Sequence, residues 1–230
     1  MNALDVKNLV VHRGGLPIVR DVSLSVDKGS ISVLLGANGA GKTTLMEGIA
    51  GAIPQVGGTV TIAGQSVEMV GPYQRARHGL SLVEQGRAVF RELTVEENLE
   101  VARGPTASIE DTFKLFPELL PRRHIRSGLL SGGEQQMLLI GRALLTQPKV
   151  LLIDEMSLGL APLIVQRLMK LVKQLAEEGL AILLVEQFAS LALVVGHRAY
   201  VLRGGRIVYD GDCAEMRRDP AKLHQLYFGS

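Results

Sequence analysis

The sequence predicts an α/β fold in which helices flank a mainly parallel sheet, and three observations lead to this prediction. A β-branched and apolar run at residues 30–35 passes through a glycine-rich loop into a helical pattern, and the β/α pattern resumes at residue 130. Short β segments separated by glycine turns occupy much of the first 35 residues, which indicates an additional antiparallel layer. Charged, helix-permissive sequence fills residues 86–129 and predicts an inserted helical segment.

The individual elements follow from local patterns in chain order. The predicted β segments are residues 4–11, 18–19, 22–26, 31–35, 59–63, 80–83 and 150–153. Glycine pairs mark turns, at Gly14-Gly15 and just before residue 59. Thr94 is followed by Glu96 and Glu97, the pattern of a helix N-cap with an acidic first turn. A helix rich in apolar residues is predicted from Met137 to about Leu145.

Composition excludes several classes of protein. Of the 230 residues, 47% are hydrophobic and 4% are aromatic, which favours an aliphatic α/β protein and argues against disorder. The formal charge of +2 and the absence of a basic run give nucleic-acid binding no support. The single cysteine excludes an internal disulfide and a CxxC metal site. Residues 180–195 are apolar but interrupted by Glu186-Gln187, so we expect no membrane span and a soluble chain.

Residues 36–44 fit the pattern G-x-x-x-x-G-K-[ST] between a predicted strand and a predicted helix, which is the context of a nucleotide-binding P-loop. Glycines let the backbone fold around an anion with its N–H groups pointing inward. Lys42 adds a positive charge near the β- and γ-phosphates, and the Thr43 hydroxyl is placed to bind Mg²⁺. A glycine-rich turn that merely joins strand to helix would not need the lysine. The predicted phosphate-binding residues are Gly36, Asn38, Gly39, Ala40, Gly41, Lys42, Thr43 and Thr44.

Two further features belong to the same chemistry. Ser131, Gly132 and Gly133 stand at a predicted helix start and form a second candidate anion site, because free N–H groups point outward there. The strand at residues 150–153 ends in Asp154 and Glu155. Asp154 is placed to hold Mg²⁺ through water, and Glu155 is placed to polarise an attacking water; the plainer alternative is a solvated strand end.

With these motifs in this order, the chain resembles the ATP-binding subunit of an ATP-binding cassette (ABC) transporter over nearly its whole length. The resemblance assigns residues 130–135 to the signature segment and Gln85 to the Gln-loop, where it contributes to the nucleotide and Mg²⁺ sites. It implies a P-loop NTPase (RecA-like) core with an antiparallel β subdomain and an inserted α-helical subdomain. The implied single domain covers residues 1–230, with 1–85 and 130–230 as the core and 86–129 as the helical subdomain.

Two longer stretches resemble a narrower branch, the subunits that energise branched-chain amino acid uptake. These are residues 86–99 and 157–162, and the segment Leu184-Val185-Glu186-Gln187 is similar to that branch too. Urea or amide uptake systems carry similar segments, so that alternative stays open.

The chain departs from the general family pattern at three positions. Gln187 stands at the switch position, where the family usually has a histidine, and its amide can position groups but carries no charge. Arg13 stands where an adenine-stacking aromatic is expected, and a guanidinium can stack on a base; an ordinary surface arginine is the alternative. Met156 follows Glu155 where proline is common.

The resemblance implies ATP and Mg²⁺ as ligands, and hydrolysis carried by Glu155 with Lys42 and Gln187. It implies integral membrane permease subunits as partners, a second cassette of the same or a similar kind, a solute-binding protein indirectly, and no nucleic acid. Its expected place is peripheral, at the cytoplasmic face of the inner (cell) membrane.

The groove near Gln85, Phe90 and Leu93 is predicted to receive the permease, unless the two apolar side chains fill the subdomain core. A soluble ABC ATPase acting on DNA or ribosomes and a P-loop phosphotransferase are disfavoured, since the chain shows no heptads, tandem cassette, acceptor pocket or lid.

Overall fold

A computed structural model describes residues 2–86 and 88–228, so Arg87 of the stretch 86–99 lies outside the described residues. Within those residues, the strands are β1 (Asn2–Arg13), β2 (Leu16–Asp27), β3 (Ile31–Leu35), β4 (Gln55–Ile62), β5 (Gln65–Ser66), β6 (Leu80–Val83), β7 (Val150–Asp154), β8 (Ala181–Val185), β9 (Arg198–Arg203) and β10 (Arg206–Asp212). They form a six-stranded sheet in the order β10-β9-β3-β8-β7-β6 and a four-stranded sheet in the order β2-β1-β4-β5.

The six-stranded sheet positions the loops that carry the predicted site residues at one edge. Among the described strands of this sheet, β6, β7, β8, β3 and β9 are parallel, and β10 at the edge is antiparallel. Every residue of β3, β7 and β8 is buried, as expected for a parallel sheet covered on both faces. Val185 at the end of β8 pairs with Leu34 on one side and with Asp154 on the other. The loops that follow β3, β7 and β8 therefore leave the sheet side by side.

The helices of the described residues are α1 (Lys42–Ala50), α2 (Pro72–Arg77), α3 (Val95–Ala102), α4 (Ile109–Leu115), α5 (Gly132–Leu145), α6 (Pro162–Glu177), α7 (Ala189–Val195), α8 (Cys213–Arg218) and α9 (Pro220–Phe228). Short 3₁₀ turns cover Pro117–Arg122 and Ser127–Leu129. The predicted cap of α3 is present, since Thr94 and Glu97 form a reciprocal capping box.

The sequence prediction of the antiparallel sheet missed the two-residue strand β5, and the extents of β2 and β4 differ from it. The segments predicted at 18–19 and 22–26 form one strand, β2, whose pairing with β1 shifts register around Asp21, where φ is 60°. Strand β4 begins at Gln55 and runs through the glycines predicted to bound it. Gly58 has a φ of 86° and lies so close to β1 that a Cβ would meet Asn8 O at 2.4 Å. In both strands a bulge interrupts the alternation from which strand ends were predicted.

Helix α5 also begins earlier than predicted, at Gly132 instead of Met137. Ser131 caps it: its Oγ accepts from the N–H of Glu134, and the Glu134 carboxylate accepts from the N–H of Ser131. This capping box outweighs the low helix propensity of the two glycines, so the helix starts within the glycine segment itself.

Two hydrophobic clusters lie on the two faces of the central sheet. One fills the space between the two sheets around α1, with Leu45 and Met46. The other packs α5 and α6 on the opposite face and extends without interruption to Phe113 of α4. The helices within 86–129 therefore share a core with the central sheet. The subdomain boundaries at 86 and 129 stay a prediction.

No helix among residues 2–86 and 88–228 combines the length and the apolar character needed to cross a lipid bilayer.

Candidate nucleotide-binding site

A cleft of about 530 Å³ opens at the edge where the loops after β3, β7 and β8 meet. It brings together most of the residues selected from the sequence. Its lining consists of Arg13, Ile18, Asn38, Gly39, Gly41, Lys42, Thr43, Thr44, Gln85, Glu155, Leu158 and Gln187. Gly36 and Ala40 are not in this lining and lie on the inner side of the loop, where both are buried.

The P-loop needs glycine at two places for different reasons. Gly36 has a φ of 154°, and a Cβ there would meet the carbonyl oxygen of Leu202 at 2.3 Å, so only glycine fits against β9. Gly41 is the N-cap of α1, with a φ of 104°. Its left-handed conformation turns the chain directly from the loop into the helix, which points the first N–H groups of α1 at the cleft. The loop is thus shaped to hold an anion at a helix N-terminus.

Lys42, Gln85 and Glu155 form one line of contacts across the cleft. Lys42 Nζ donates to the carbonyls of Gly36 at 2.9 Å and Ala37 at 3.3 Å, and lies 3.8 Å from Glu155 Oε1. The other carboxylate oxygen of Glu155 accepts from Gln85 Nε2 at 2.7 Å. The side chains of Lys42 and Glu155 are only 5% and 11% exposed. A phosphate entering the cleft would meet a cation and a carboxylate already held in place.

The residues predicted to hold Mg²⁺ lie beside this line. A smaller cavity of about 180 Å³ is lined by Thr43, Glu47, Gln85 and Asp154 among others. Burial raises the pKa of Asp154, while a hydrogen bond from Thr43 opposes that shift. Among the described residues, Asp154 Oδ1 is a buried atom without a hydrogen-bond partner.

This donor set fits a magnesium ion. Hydroxyl, amide and carboxylate oxygens are the hard ligands that Mg²⁺ prefers, and the orphaned Oδ1 of Asp154 is available to it or to its water. No group of three or more His, Cys, Asp or Glu in the described part of the chain forms a metal site by itself. Such an ion would complete its shell with water and phosphate oxygens.

Arg13 reaches the cleft from the end of β1, where its guanidinium forms an ion pair with Glu47 of α1. Its side chain is 55% exposed. Ile18 of β2 lies against the P-loop, since a Cβ on Gly41 would meet Ile18 Cγ2 at 3.3 Å. The sequence prediction missed Ile18 and Glu47. Ile18 was placed in a β segment, but nothing in the sequence showed that β2 folds back across the P-loop.

Gln187 lines the cleft and is exposed, so its amide is free to approach a bound ligand. Glu186 beside it points the other way and is fully buried. Its carboxylate accepts the N–H of Ser157 at 3.2 Å and also accepts the Ser157 hydroxyl. The sequence prediction used Glu186 only as part of a family resemblance and as an interruption of the apolar run 180–195, and gave it no role in the site. A charged residue between a buried strand and the switch position was the available signal.

The signature residues lie elsewhere. Ser131, Gly132 and Gly133 form the start of α5 and, within the described chain, are not part of the lining of the P-loop cleft. Ser131 is exposed and the two glycines are half-buried. The chain therefore presents two separate glycine-rich helix starts.

Phe90, predicted to lie at a docking groove, is 47% exposed. Its ring is covered on one face by the guanidinium of Arg142, 4.4 Å from the ring centre. Leu93 is half-buried. A neighbouring cavity of about 240 Å³, lined by Glu84, Ala88 and Arg142 among others, opens next to Phe90. Phe90 is thus not a core residue of the helical segment.

A parallel sheet whose P-loop, acidic strand end and Gln-loop converge on one cleft defines the class of P-loop nucleotide hydrolases. The family described as "ABC transporter" matches residues 19–157. The chain belongs to this family, as one of its ATP-binding cassettes, and both the predicted family and the predicted fold class are confirmed.

Individual relatives extend the match over the whole chain. The chain is 41% identical to the "High-affinity branched-chain amino acid transport ATP-binding protein BraG" of Pseudomonas aeruginosa, covering 98% of this chain and 99% of that protein. It is 36% identical to the "Probable branched-chain amino acid transport ATP-binding protein LivF" of Archaeoglobus fulgidus, covering 93% of each. It is 32% identical to the "Lipopolysaccharide export system ATP-binding protein LptB" of Escherichia coli, covering 100% of this chain and 98% of that protein.

A solved structure gives the same answer for the fold. A nucleotide-free ATP-binding cassette from an ABC transporter superimposes with a TM-score of 0.88 at 27% identity, covering 100% of both chains.

Proposed function

We propose that this chain hydrolyses ATP to drive an importer of branched-chain amino acids, as a peripheral subunit at the cytoplasmic face of the cell membrane. The observation that carries the catalytic part is the Glu155 carboxylate, held in the P-loop cleft between Lys42 and Gln85. The likeness to BraG and LivF supports the solute, because both names specify branched-chain amino acid transport.

The geometry of the cleft supports a separate role for each of its polar residues. The N–H groups at the start of α1 and the ammonium of Lys42 bind the phosphates, which turns Lys42 from its contact with Glu155 toward the stronger phosphate charge. Gln85 keeps its hydrogen bond to Glu155 and so holds the carboxylate where it accepts a proton from the attacking water. Gln187 is placed to hydrogen-bond the terminal phosphate or that water.

Thr43, Gln85 and Asp154 are the residues that would hold Mg²⁺. When bound, the ion neutralises phosphate charge that develops during transfer.

Partner assignments follow from exposed surfaces. Permease subunits would dock against Phe90 and the cavity beside it, and a solute-binding protein would act through the permease. A second cassette would meet this one across the P-loop cleft, with its own Ser131 segment facing the phosphate bound here. Charge gives nucleic acid no support as a partner.

Uptake by cells tests the solute. Cells that lack this chain should regain uptake of labelled leucine when they produce the parent chain, and should not regain it with Glu155→Gln. Labelled urea in the same cells is the matched control. Restoration of urea uptake alone, or a change in surface lipopolysaccharide without any change in uptake, would assign the chain to another transporter.

Purified protein tests the catalytic step. Glu155→Gln should bind ATP like the parent but turn it over at least about 100-fold more slowly, because an amide does not accept a proton as a carboxylate does. A variant that keeps its turnover within about tenfold of the parent would remove Glu155 as the general base.

Sedimentation tests the second cassette. Glu155→Gln with ATP and Mg²⁺ should form a dimer, because turnover no longer removes the bridging phosphate. Adding Ser131→Arg should abolish the dimer while the monomer still binds ATP. A double variant that dimerises on ATP would exclude the Ser131 segment from the interface.

A further inference from the structure

Glu186 is a buried carboxylate that joins two loops of the site. It follows β8 directly and is 0% exposed. Ser157 donates to it twice, through its N–H and through its hydroxyl, and the N–H of Gln187 donates to it as well. One carboxylate therefore holds both the loop that follows Glu155 and the loop that carries Gln187.

The backbone of Glu155 shows why this attachment has consequences. Glu155 has a φ of 47°, in the left-handed region that disfavours residues with a Cβ. Its N–H donates to Val185 O at 2.9 Å, and its carbonyl accepts from Leu158 N at 3.4 Å. Ser157 lies inside this turn and is 4% exposed. A strained residue keeps its conformation only where its surroundings hold the chain on both sides.

Burial raises the pKa of Glu186 to about 7, and the nearby negative charge of Glu155 adds to the shift, while the hydrogen bonds from Ser157 and Gln187 oppose it. Placing a carboxylate here is therefore unfavourable for stability alone. An apolar side chain would avoid that cost but would lose both acceptor oxygens, and an amide would keep only one of the two oxygens that Ser157 uses.

We propose that Glu186 is a positioning residue for ATP hydrolysis: by holding Ser157 it keeps Glu155 in its left-handed conformation and aims the Glu155 side chain into the cleft. Resting on the proposed role of Glu155, this assigns Glu186 an effect on turnover without any contact with ATP. Because the same carboxylate binds the N–H of Gln187, the loops of Glu155 and Gln187 shift together when either one moves.

Ser157→Ala is the decisive variant, since it removes the hydroxyl donor and leaves the backbone donor in place. We expect its kcat for ATP to fall about tenfold while KM stays within about threefold, because ATP binding uses other residues. Ser157→Thr, which restores a hydroxyl, should return kcat to within about threefold of the parent. Glu186→Gln should lower kcat to a similar degree, and the double variant should lose little more than either single one.

Ser32→Ala is the matched control. Ser32 is 1% exposed and donates its hydroxyl to Ser25 O at 3.1 Å, so its hydrogen bond involves neither Glu186 nor Ser157. It should lose thermal stability like Ser157→Ala and keep its kcat. A kcat of Ser157→Ala within about twofold of the parent, or an equal loss in Ser157→Ala and Ser157→Thr, overturns the proposal. Glu155→Gln, measured in parallel, separates the general-base role of Glu155 from the positioning role of Glu186. If the kcat of Glu155→Gln falls and that of Ser157→Ala does not, only the positioning role fails.

Discussion

The chain has two glycine-rich helix starts, and they differ in almost everything but the glycines. At the start of α1, the loop carries Lys42, whose side chain is nearly buried, and Asp154 lies beside it with an unpartnered oxygen. At the start of α5, Ser131 and Glu134 satisfy each other in a capping box. The Glu134 carboxylate is in turn bound by Arg122 at 3.1 Å.

This difference shows what a helix N-terminus needs in order to be a complete anion site. Free N–H groups and a favourable dipole are present at both helices. Only the first adds a buried cation and a neighbouring carboxylate suited to a metal ion. The second carries a negative charge of its own, so it is suited to a phosphate that arrives already neutralised by other groups, such as one bound at a partner's P-loop.

The largest effect should separate the two helix starts by ATP affinity. Lys42→Ala should raise the Kd for ATP by about 100-fold, because a charge-assisted hydrogen bond in a buried site contributes about 3 kcal/mol. Ser131→Arg should leave the Kd of the monomer within about twofold of the parent, since ATP binds at the other helix. Calorimetric titration at a concentration below dimerisation measures both. Weaker ATP binding by the Ser131→Arg monomer would contradict the assignment of ATP binding to the start of α1 alone.

The next effect concerns folding. Gly36→Ala should lower the free energy of unfolding by about 2–4 kcal/mol, since its Cβ would meet a backbone oxygen at 2.3 Å and its φ is positive. Gly133→Ala is the control: its Cβ would meet the Ile164 side chain at 3.1 Å, and alanine favours a helix. We expect it to change stability by less than about 1 kcal/mol. Urea unfolding of both variants tests the contrast. Equal losses in the free energy of unfolding would show that the backbone next to Gly36 shifts to accommodate a Cβ.

Strands β3, β6 and β7 of the central sheet were predictable because each reads as a short apolar run that is buried in the sheet. Strands β8, β9 and β10 of the same sheet were not predicted. The P-loop and the acidic strand end were predictable because their chemistry requires fixed residue types at fixed spacing. The full extents of strands β2 and β4 were not predictable, since bulges at Asp21 and Gly58 break the alternation of apolar and polar residues.

Contacts between distant segments account for the other omissions. Ile18 reaches the cleft only because β2 folds back across the P-loop. Glu186 contacts Ser157 only because β7 and β8 are neighbours, a pairing that no local pattern contains.

A smaller effect is expected at the base end of the first site. Arg13→Ala should weaken ATP binding by about 1–3 kcal/mol if the guanidinium stacks on adenine, and Arg13→Tyr should preserve it. Since Arg13 is bound to Glu47 in the described structure, Glu47→Gln is a useful companion: it removes the negative charge that holds the guanidinium and should not weaken ATP binding. Equal affinities for the parent, Arg13→Ala and Arg13→Tyr would remove Arg13 from the site.

The smallest effect tests the acidic residue at the second helix start. Glu134→Gln keeps an acceptor for the N–H of Ser131 but removes the negative charge, which should cost about 0.3–1 kcal/mol of stability through the lost helix-dipole interaction. In the Glu155→Gln background, the same change should tighten the ATP-dependent dimer by about twofold to fivefold at low salt, because the arriving phosphate no longer faces a carboxylate.

Arg122→Gln is the matched variant, and it should act in the opposite direction. It leaves Glu134 without its bound cation, so the dimer should weaken at low salt, and both effects should shrink as salt screens the charges. Sedimentation at several salt concentrations measures the pair. If Glu134→Gln and Arg122→Gln shift the dimer in the same direction, or neither responds to salt, then no phosphate approaches the start of α5, and this helix start is capped for stability alone.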